Sequence, residues 1–273
     1  MKVGLQLYSV RDKMEENMEQ TLKAVKEMGY DYVEFAGYFG KSAEEVKALL
    51  DKYELTCISV HQKHDIFLEN PEESVRYLKG IGAKYCAIPW MAPEKHKGAP
   101  DYEQTIADIA KVAKLLKDND IQMLYHNHDF EFVKYEGKYK FDWLYESVGL
   151  GLLDPEIDTC WVKYAGEDPC AYIRKYSGHV NVVHLKDFTC KKFANGPAYA
   201  LIDENGKEQP ADNTDSGFEF RALGTGLQNF REILDCAAEC GTEYVIVEQD
   251  NWYDNDSMEL AKTSREYLKS LGI

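Results

Sequence analysis

The chain is short of positive charge: 32 lysines and arginines face 48 aspartates and glutamates, a formal net charge of −16. A surface of that sign repels phosphate backbones, which argues against nucleic acid as a partner. A phosphorylated small molecule is not excluded, because a site can be locally basic. Long apolar runs are also missing. No stretch reaches the roughly 20 residues that cross a bilayer, so no membrane partner is expected. The opening MKVGLQLYSVRD turns polar too soon for a signal peptide. Cysteine is sparse at seven, and no pair has the CxxC spacing of a structural zinc or redox motif. Cys57, Cys86 and Cys160 lie in or beside apolar runs, where reduced and inert packing residues belong. These absences lead to the expectation of a cytoplasmic protein.

What is present is a regular alternation. Short apolar runs at Val3–Tyr8, Tyr32–Phe35, Thr56–Val60, Tyr85–Pro89, Ile121–Tyr125, Glu156–Cys160, Val180–Leu185 and Tyr244–Val247 read as strands. Helical spacing fills the gaps: Glu15–Met28, Ser42–Lys52, Pro71–Ile81, Asp101–Lys117, Phe141–Ser147, Pro169–Tyr176, Leu227–Cys240 and Ser257–Leu271. Gly29 and Gly82 stop two of these helices, and Ser42 with Glu45 forms a capping-box pattern. Strands and helices in strict order predict an α/β fold, a (β/α)8 TIM barrel, as one domain over residues 1–273. One segment breaks the rhythm. Residues 188–225 are too long for an ordinary strand-to-helix loop, and Asn205–Gly206 carries a hairpin-turn signal. This segment is expected to border the open rim, or else to serve as surface decoration or an oligomer contact.

Polar residues collect where the strands end. His184 follows VV in VVHLKD, Asp158 closes EID and Glu248 follows YVIV, while His61, which ends the third strand, is expected to bind substrate with the other rim residues. The C-terminal strand ends of such a barrel carry the active site. Imidazole with carboxylates on several strands suits one divalent metal ion, Mn, Mg, Co or Zn. Taken singly, a strand-end Asp reads as a helix cap and a His as an ordinary hydrogen-bonding residue. Lys186 lies two residues after His184, on the same strand face. It is expected to bind a hydroxyl, carbonyl or enolate oxygen, or to pair with Asp187 or Asp158. Trp161 is placed to stack on a sugar ring or to pack the core, and Arg221 to reach an anionic substrate group. The GTG run after Leu223 lacks the glycine pattern and lysine of a phosphate cradle.

The motifs GLQLYSVR, GYDYVEFAG, LYHNHDFEF, EIDTCWVKYAGEDP, VVHLKDF, ALGTGLQNF and VIVEQD together resemble the sugar phosphate isomerase/epimerase superfamily, the xylose isomerase-like barrel. The likeness covers nearly the whole chain. It implies a divalent metal held by Glu, Asp, His and Glu from four strand ends. The last three match Asp158, His184 and Glu248. Where relatives have an ENH-like run, this chain has His126-Asn127-His128. His126 then stands in for the first ligand and for one of two acid–base glutamates, and its strand parity suits a ligand. That leaves Glu248, His126 or Glu131 as the base, with His128 a ligand neighbour or rim residue.

The resemblance implies chemistry beside a carbonyl, in carbohydrate metabolism. The expected enzyme is a metal-dependent isomerase or epimerase that moves a proton on a sugar or keto-sugar. A lyase or dehydratase of a keto-inositol or 3-keto-glycoside is the main alternative, made serious by the histidine at position 126. A non-catalytic sugar-binding barrel and a multi-metal endonuclease are further alternatives, the latter opposed by the net charge. A homo-oligomer stays open.

Overall fold

A computed structural model describes residues 1–191, 193 and 216–273 of the chain. Eight parallel strands close into a barrel: β1 (Lys2–Gln6), β2 (Tyr32–Ala36), β3 (Thr56–His61), β4 (Tyr85–Ile88), β5 (Gln122–His126), β6 (Leu153–Asp158), β7 (Val182–Leu185) and β8 (Tyr244–Val247). Neighbours in chain order pair, and β8 closes onto β1 through pairs such as Leu5 with Val247. The outer ring is α1 (Arg11–Met28), α2 (Ala43–Lys52), α3 (Pro71–Ile81), α4 (Tyr102–Lys117), α5 (Lys140–Val148), α6 (Pro169–Lys175), α7 (Phe230–Glu239) and α8 (Ser257–Ser270). No described helix is long and apolar enough to cross a membrane.

Alternate residues of each strand face opposite ways. Outward ones, such as Val33, Phe35, Val183 and Val245, pack against Leu22, Leu78, Ile109 and Leu268 of the helices. Inward, Ile58, Tyr85, Ala87, Leu124, Val182, Tyr244 and Ile246 form an apolar layer. The next inward positions toward the C-terminal strand ends are polar. Strands buried on both faces read as continuous apolar runs, which is why the sequence alternation shows through.

The helix signals act as expected. Ser42 and Glu45 exchange side-chain and backbone hydrogen bonds at the start of α2, and Gly29 ends α1 at a φ of 96°, a left-handed conformation. Strand boundaries shift by two residues or more in β1, β6 and β7, the last starting at Val182 and not Val180. β1 stops at Gln6, because its side-chain Oε1 accepts from Tyr8 N at 3.0 Å and turns Leu7–Val10 into a 3₁₀ turn. β6 runs Leu153–Asp158, three residues earlier at its start than its apolar residues suggest, and a short helix, Thr159–Tyr164, follows at once.

The long segment after β7 begins as a ribbon, Asp187–Thr189 pairing antiparallel with Glu219–Arg221. The hairpin expected at Asn205–Gly206 lies outside the described residues.

Candidate active site

The polar layer is assembled by strand parity. β6 turns both Glu156 and Asp158 inward, β7 adds His184 and, just past its end, Lys186, and β5 adds its last residue, His126. β2 contributes Glu34 and β3 His61, while Glu248 and Asp250 follow β8. Their side chains are almost wholly buried.

Two groups of four form around His184. In the outer one, His126, Asp158, His184 and Glu248 offer ligand atoms that all lie within 4.8 Å of one another. His126 Nε2 is 3.2 Å from Asp158 Oδ2 and 3.5 Å from Glu248 Oε2, and His184 Nδ1 is 2.9 Å from Glu248 Oε2. In the inner one, Glu34, His61, Glu156 and His184 converge to the same degree. His184 Nε2 meets Glu34 Oε2 at 2.7 Å, and His61 Nε2 meets Glu156 Oε2 at 2.8 Å. The His61 and His184 rings stack, 5.2 Å apart and 10° from parallel.

Lys186 binds the outer group from the other side. Its Nζ is 3.0 Å from each of Asp158 Oδ2, Glu248 Oε2 and Asp250 Oδ2. Burial opposes its charge, but Asp158, Asp250 and Glu248 outweigh burial and hold the ammonium protonated far above neutrality. Burial likewise opposes ionisation of Glu248 and Asp158, yet Lys186 and the neighbouring imidazoles hold both below the ordinary carboxylate range. Asp250 differs: burial pushes its carboxyl up to about 6 despite Lys186. Within the inner pair, burial and the nearby Glu34 charge raise Glu156 far above its usual value, so Glu156 holds the proton and Glu34 the charge.

The donor set fits a divalent cation. Zinc bonds of roughly 2.0–2.1 Å in a tetrahedron put ligand atoms about 3.4 Å apart. Two of the outer contacts, 3.2 and 3.5 Å, match that edge. Among the described residues the buried Nδ1 of His126 has no hydrogen-bond partner, and Nε2 faces only the Asp158 and Glu248 carboxylates, an arrangement that is costly unless another partner is supplied. With Glu156 holding its proton, four carboxyls face the Lys186 ammonium and the His126 and His184 rings, which against burial the neighbouring carboxylates push toward protonation; a bound dication would take the place of those protons.

Other expected site residues lie elsewhere. Glu131 does not join the cluster. Its carboxylate accepts from Tyr125 Oη, and Tyr125 faces the helices; it also accepts from His128 N at 2.8 Å. Arg221 sits on the ribbon and pairs with Glu219. Trp161 offers no face for stacking: it is fully buried, lies parallel to Phe218 at 5.6 Å, and has Lys186 Nζ 5.3 Å from its ring. His128 is next to the cluster, 5.1 Å from His126, with its own ring stacked on Phe130. Burial keeps it neutral, well below its ordinary value. Asp187 turns away from Lys186 and accepts from four backbone amides: Phe188 (2.9 Å), Gly224 (3.0 Å), Gly226 (2.8 Å) and Gln228 (3.1 Å). The amides of Gly224 and Gly226 are thereby spent on an internal carboxylate, and that of Thr225 donates to Ala222 O. A Cβ on Gly226 would lie 2.3 Å from Asp187 Oδ1, so only glycine fits.

Sequence reasoning did not single out Glu34, Glu156 or Asp250. A usable signal was present. Glu156 precedes Asp158 by two and Asp250 follows Glu248 by two, the spacing that keeps one strand face.

A family model described as a xylose isomerase-like TIM barrel matches residues 22–271. The inosose dehydratase of Geobacillus kaustophilus (strain HTA426) is 23% identical over 191 residues, 62% of this chain and 61% of that protein. The inosose dehydratase of Clostridium botulinum (strain Eklund 17B / Type B) is 22% identical over 278 residues, 93% of this chain and 90% of that protein. A solved sugar phosphate isomerase/epimerase from Parabacteroides distasonis ATCC 8503 superposes with a TM-score of 0.77 at 18% identity. It covers 98% of this chain and 93% of its own.

Proposed function

Because the chain belongs to the xylose isomerase-like TIM barrel family, we propose a divalent-metal-dependent enzyme that removes a proton beside the carbonyl of a polyhydroxylated ketone and then expels the β-oxygen substituent. The observation that carries this is the outer group of His126, Asp158, His184 and Glu248, backed by Lys186 and Asp250. These four side chains would hold the ion. When bound, Mn, Mg, Co or Zn supplies Lewis acidity that polarises the carbonyl and acidifies the neighbouring C–H bond.

The protein supplies the proton acceptor and the counter-charge. Glu248 Oε2 already meets His184, His126 and Lys186. Asp250 has Lys186 as its partner and a side chain 16% exposed, the most open carboxylate of the cluster. Asp250 is therefore the base. The C–H electron pair forms a C=C bond as negative charge gathers on the carbonyl oxygen, and the Lys186 ammonium stabilises that charge. The enolate oxygen then re-forms the carbonyl, the C=C pair shifts to make a double bond between the α and β carbons, and the β C–O bond breaks with its pair leaving on oxygen. The proton on Asp250 passes to the leaving oxygen, which departs as water or an alcohol.

Elimination is preferred over isomerisation or epimerisation on two grounds. The inosose dehydratases align with this chain over most of its length, which makes a keto-inositol or a 3-keto-glycoside the proposed substrate class. An epimerase also needs a second acid–base group to return the proton on the opposite face. The glutamate that the resemblance places there is replaced in this chain by His126, whose Nε2 faces Asp158 and Glu248.

The test is product analysis with Mn²⁺-loaded protein on a keto-inositol and a 3-keto-glucoside. Elimination gives a product lighter by one water or one alcohol, and an epimer keeps its mass. Asp250→Asn should lower turnover about 10²- to 10⁴-fold with metal content intact, while Glu248→Gln should lose metal. No turnover of any keto-sugar by the loaded protein would end this reading.

A further inference from the structure

The inner group poses a question that the outer one does not: what two carboxyls and two imidazoles do beneath the ligand set. A second cation is one answer. Two inner contacts, 3.3 and 3.5 Å, match the ~3.4 Å edge of a zinc tetrahedron as the outer ones do, whereas the shortest, 2.7 and 2.8 Å, are hydrogen-bond lengths, and Glu34 already has a further partner. Glu34 Oε2 also accepts from Gln6 Nε2 at 2.8 Å, and Gln6 is itself fixed by accepting from Tyr8 N at 3.0 Å. A fully buried carboxylate oxygen is thus aimed at His184 Nε2 and held by a bracing chain from β1.

We infer that Glu34 is a positioning residue: it takes the Nε2 proton of His184 in a hydrogen bond and so fixes the tautomer whose Nδ1 lone pair faces Asp158, Glu248 and His126. This rests on the metal centre proposed above. His184 is wholly buried and hydrogen-bonds through Nδ1 to Glu248 Oε2 at 2.9 Å, while Nε2 lies 2.7 Å from Glu34 Oε2. An ion taken up at Nδ1 would displace that bond and leave the ring proton on Nε2, facing a carboxylate that cannot donate when ionised. An imidazole that donates from one nitrogen presents a lone pair at the other, and a carboxylate behind a ligand histidine orients its ring and raises its basicity. His61 and Glu156 complete the layer. Their 2.8 Å contact and the His61–His184 stack restrain the His184 ring from the remaining side.

Zinc is a suitable probe, being diamagnetic. Purified wild type and Glu34→Gln are titrated with Zn²⁺ against a chelator, with thermal melting to check the fold. Long-range ¹H–¹⁵N spectra of histidine-labelled, zinc-loaded protein report which nitrogen of His184 carries the proton. The expected results are one equivalent of zinc in wild type and a proton on His184 Nε2. Affinity should fall about tenfold to a hundredfold in Glu34→Gln, with mixed His184 tautomers. Unchanged affinity and an unchanged tautomer in a folded Glu34→Gln overturn the inference. A second equivalent of zinc that is lost in Glu34→Gln also overturns it, because the inner group would then be a site itself. The wild-type spectrum decides independently of whether the variant folds: zinc on His184 Nε2 refutes the assignment. Absence of zinc binding by wild type refutes the metal centre, a failure distinct from these.

Discussion

Asp158 uses its two oxygens for two purposes. Oδ1 accepts from Cys160 N at 2.8 Å and Trp161 N at 3.2 Å, capping the helix that follows, while Oδ2 faces His126 and Lys186. A strand-end aspartate reads from sequence either as a cap or as a ligand, and here one side chain is placed for both. Glu131 shows the opposite outcome. Its nearness to His126 in sequence suggests a catalytic carboxylate, but the chain turns at Phe130–Phe132 and buries it behind the barrel wall. Burial pushes its carboxyl up to about 7, above the 4.5 of an exposed glutamate. The folded state therefore binds this proton more tightly than the unfolded one, and stability from this group is complete below pH ~4.5 and lost as pH rises through ~7. At about 1.36 kcal/mol per pH unit the loss is on the order of 3 kcal/mol. In chelator-treated protein, wild type should weaken more than Glu131→Gln between pH 5 and pH 8, as read by urea denaturation. Parallel pH dependences would show that the carboxyl is ionised throughout.

At the scale of elements, helices were the easier part. Ser42 with Glu45, Pro71 and Gly29 act locally, so their signals need no knowledge of the fold. Strand edges were harder, because the inner face of this barrel is polar near its C-terminal end. Asp154-Pro155-Glu156 interrupts the apolar run of β6 and hides its start, although Leu153–Asp158 is buried throughout. The segment after β7 is tied to the site by aromatic packing: Phe218 stacks on both Trp161 and Phe188, and Trp161 touches Lys186. Lys191 N donates to Ser216 O at 2.7 Å, so the two limbs meet there. Replacing residues 192–215 by Asn-Gly should close a two-residue hairpin at that pair. The barrel should melt within a few degrees of wild type, since loop length costs little stability, and turnover should fall at least tenfold. Undiminished turnover would show that the segment has no part in the reaction.

Across the whole molecule, the barrel was legible because eight apolar runs alternate with eight helical ones, the order of a parallel α/β fold and the count of a (β/α)8 barrel. His126, Asp158, His184 and Glu248 were legible because strand ends on one rim converge once the barrel closes. Glu34 and Glu156 were not. They lie inside the strands, where a carboxylate reads as a defect until its imidazole partners on β3 and β7 are known. The account stands on one claim, that this layered cluster removes a proton beside a ketone. Solvent-deuterium uptake tests that directly, by following a panel of keto-inositols and 3-keto-glycosides by NMR in D₂O with Mn²⁺-loaded protein. Deuterium should enter the carbon next to the carbonyl of recovered substrate or of product, stop on chelation, and resume when Mn²⁺ is returned. Full retention of hydrogen across the panel, in protein shown to hold one equivalent of metal, would contradict it.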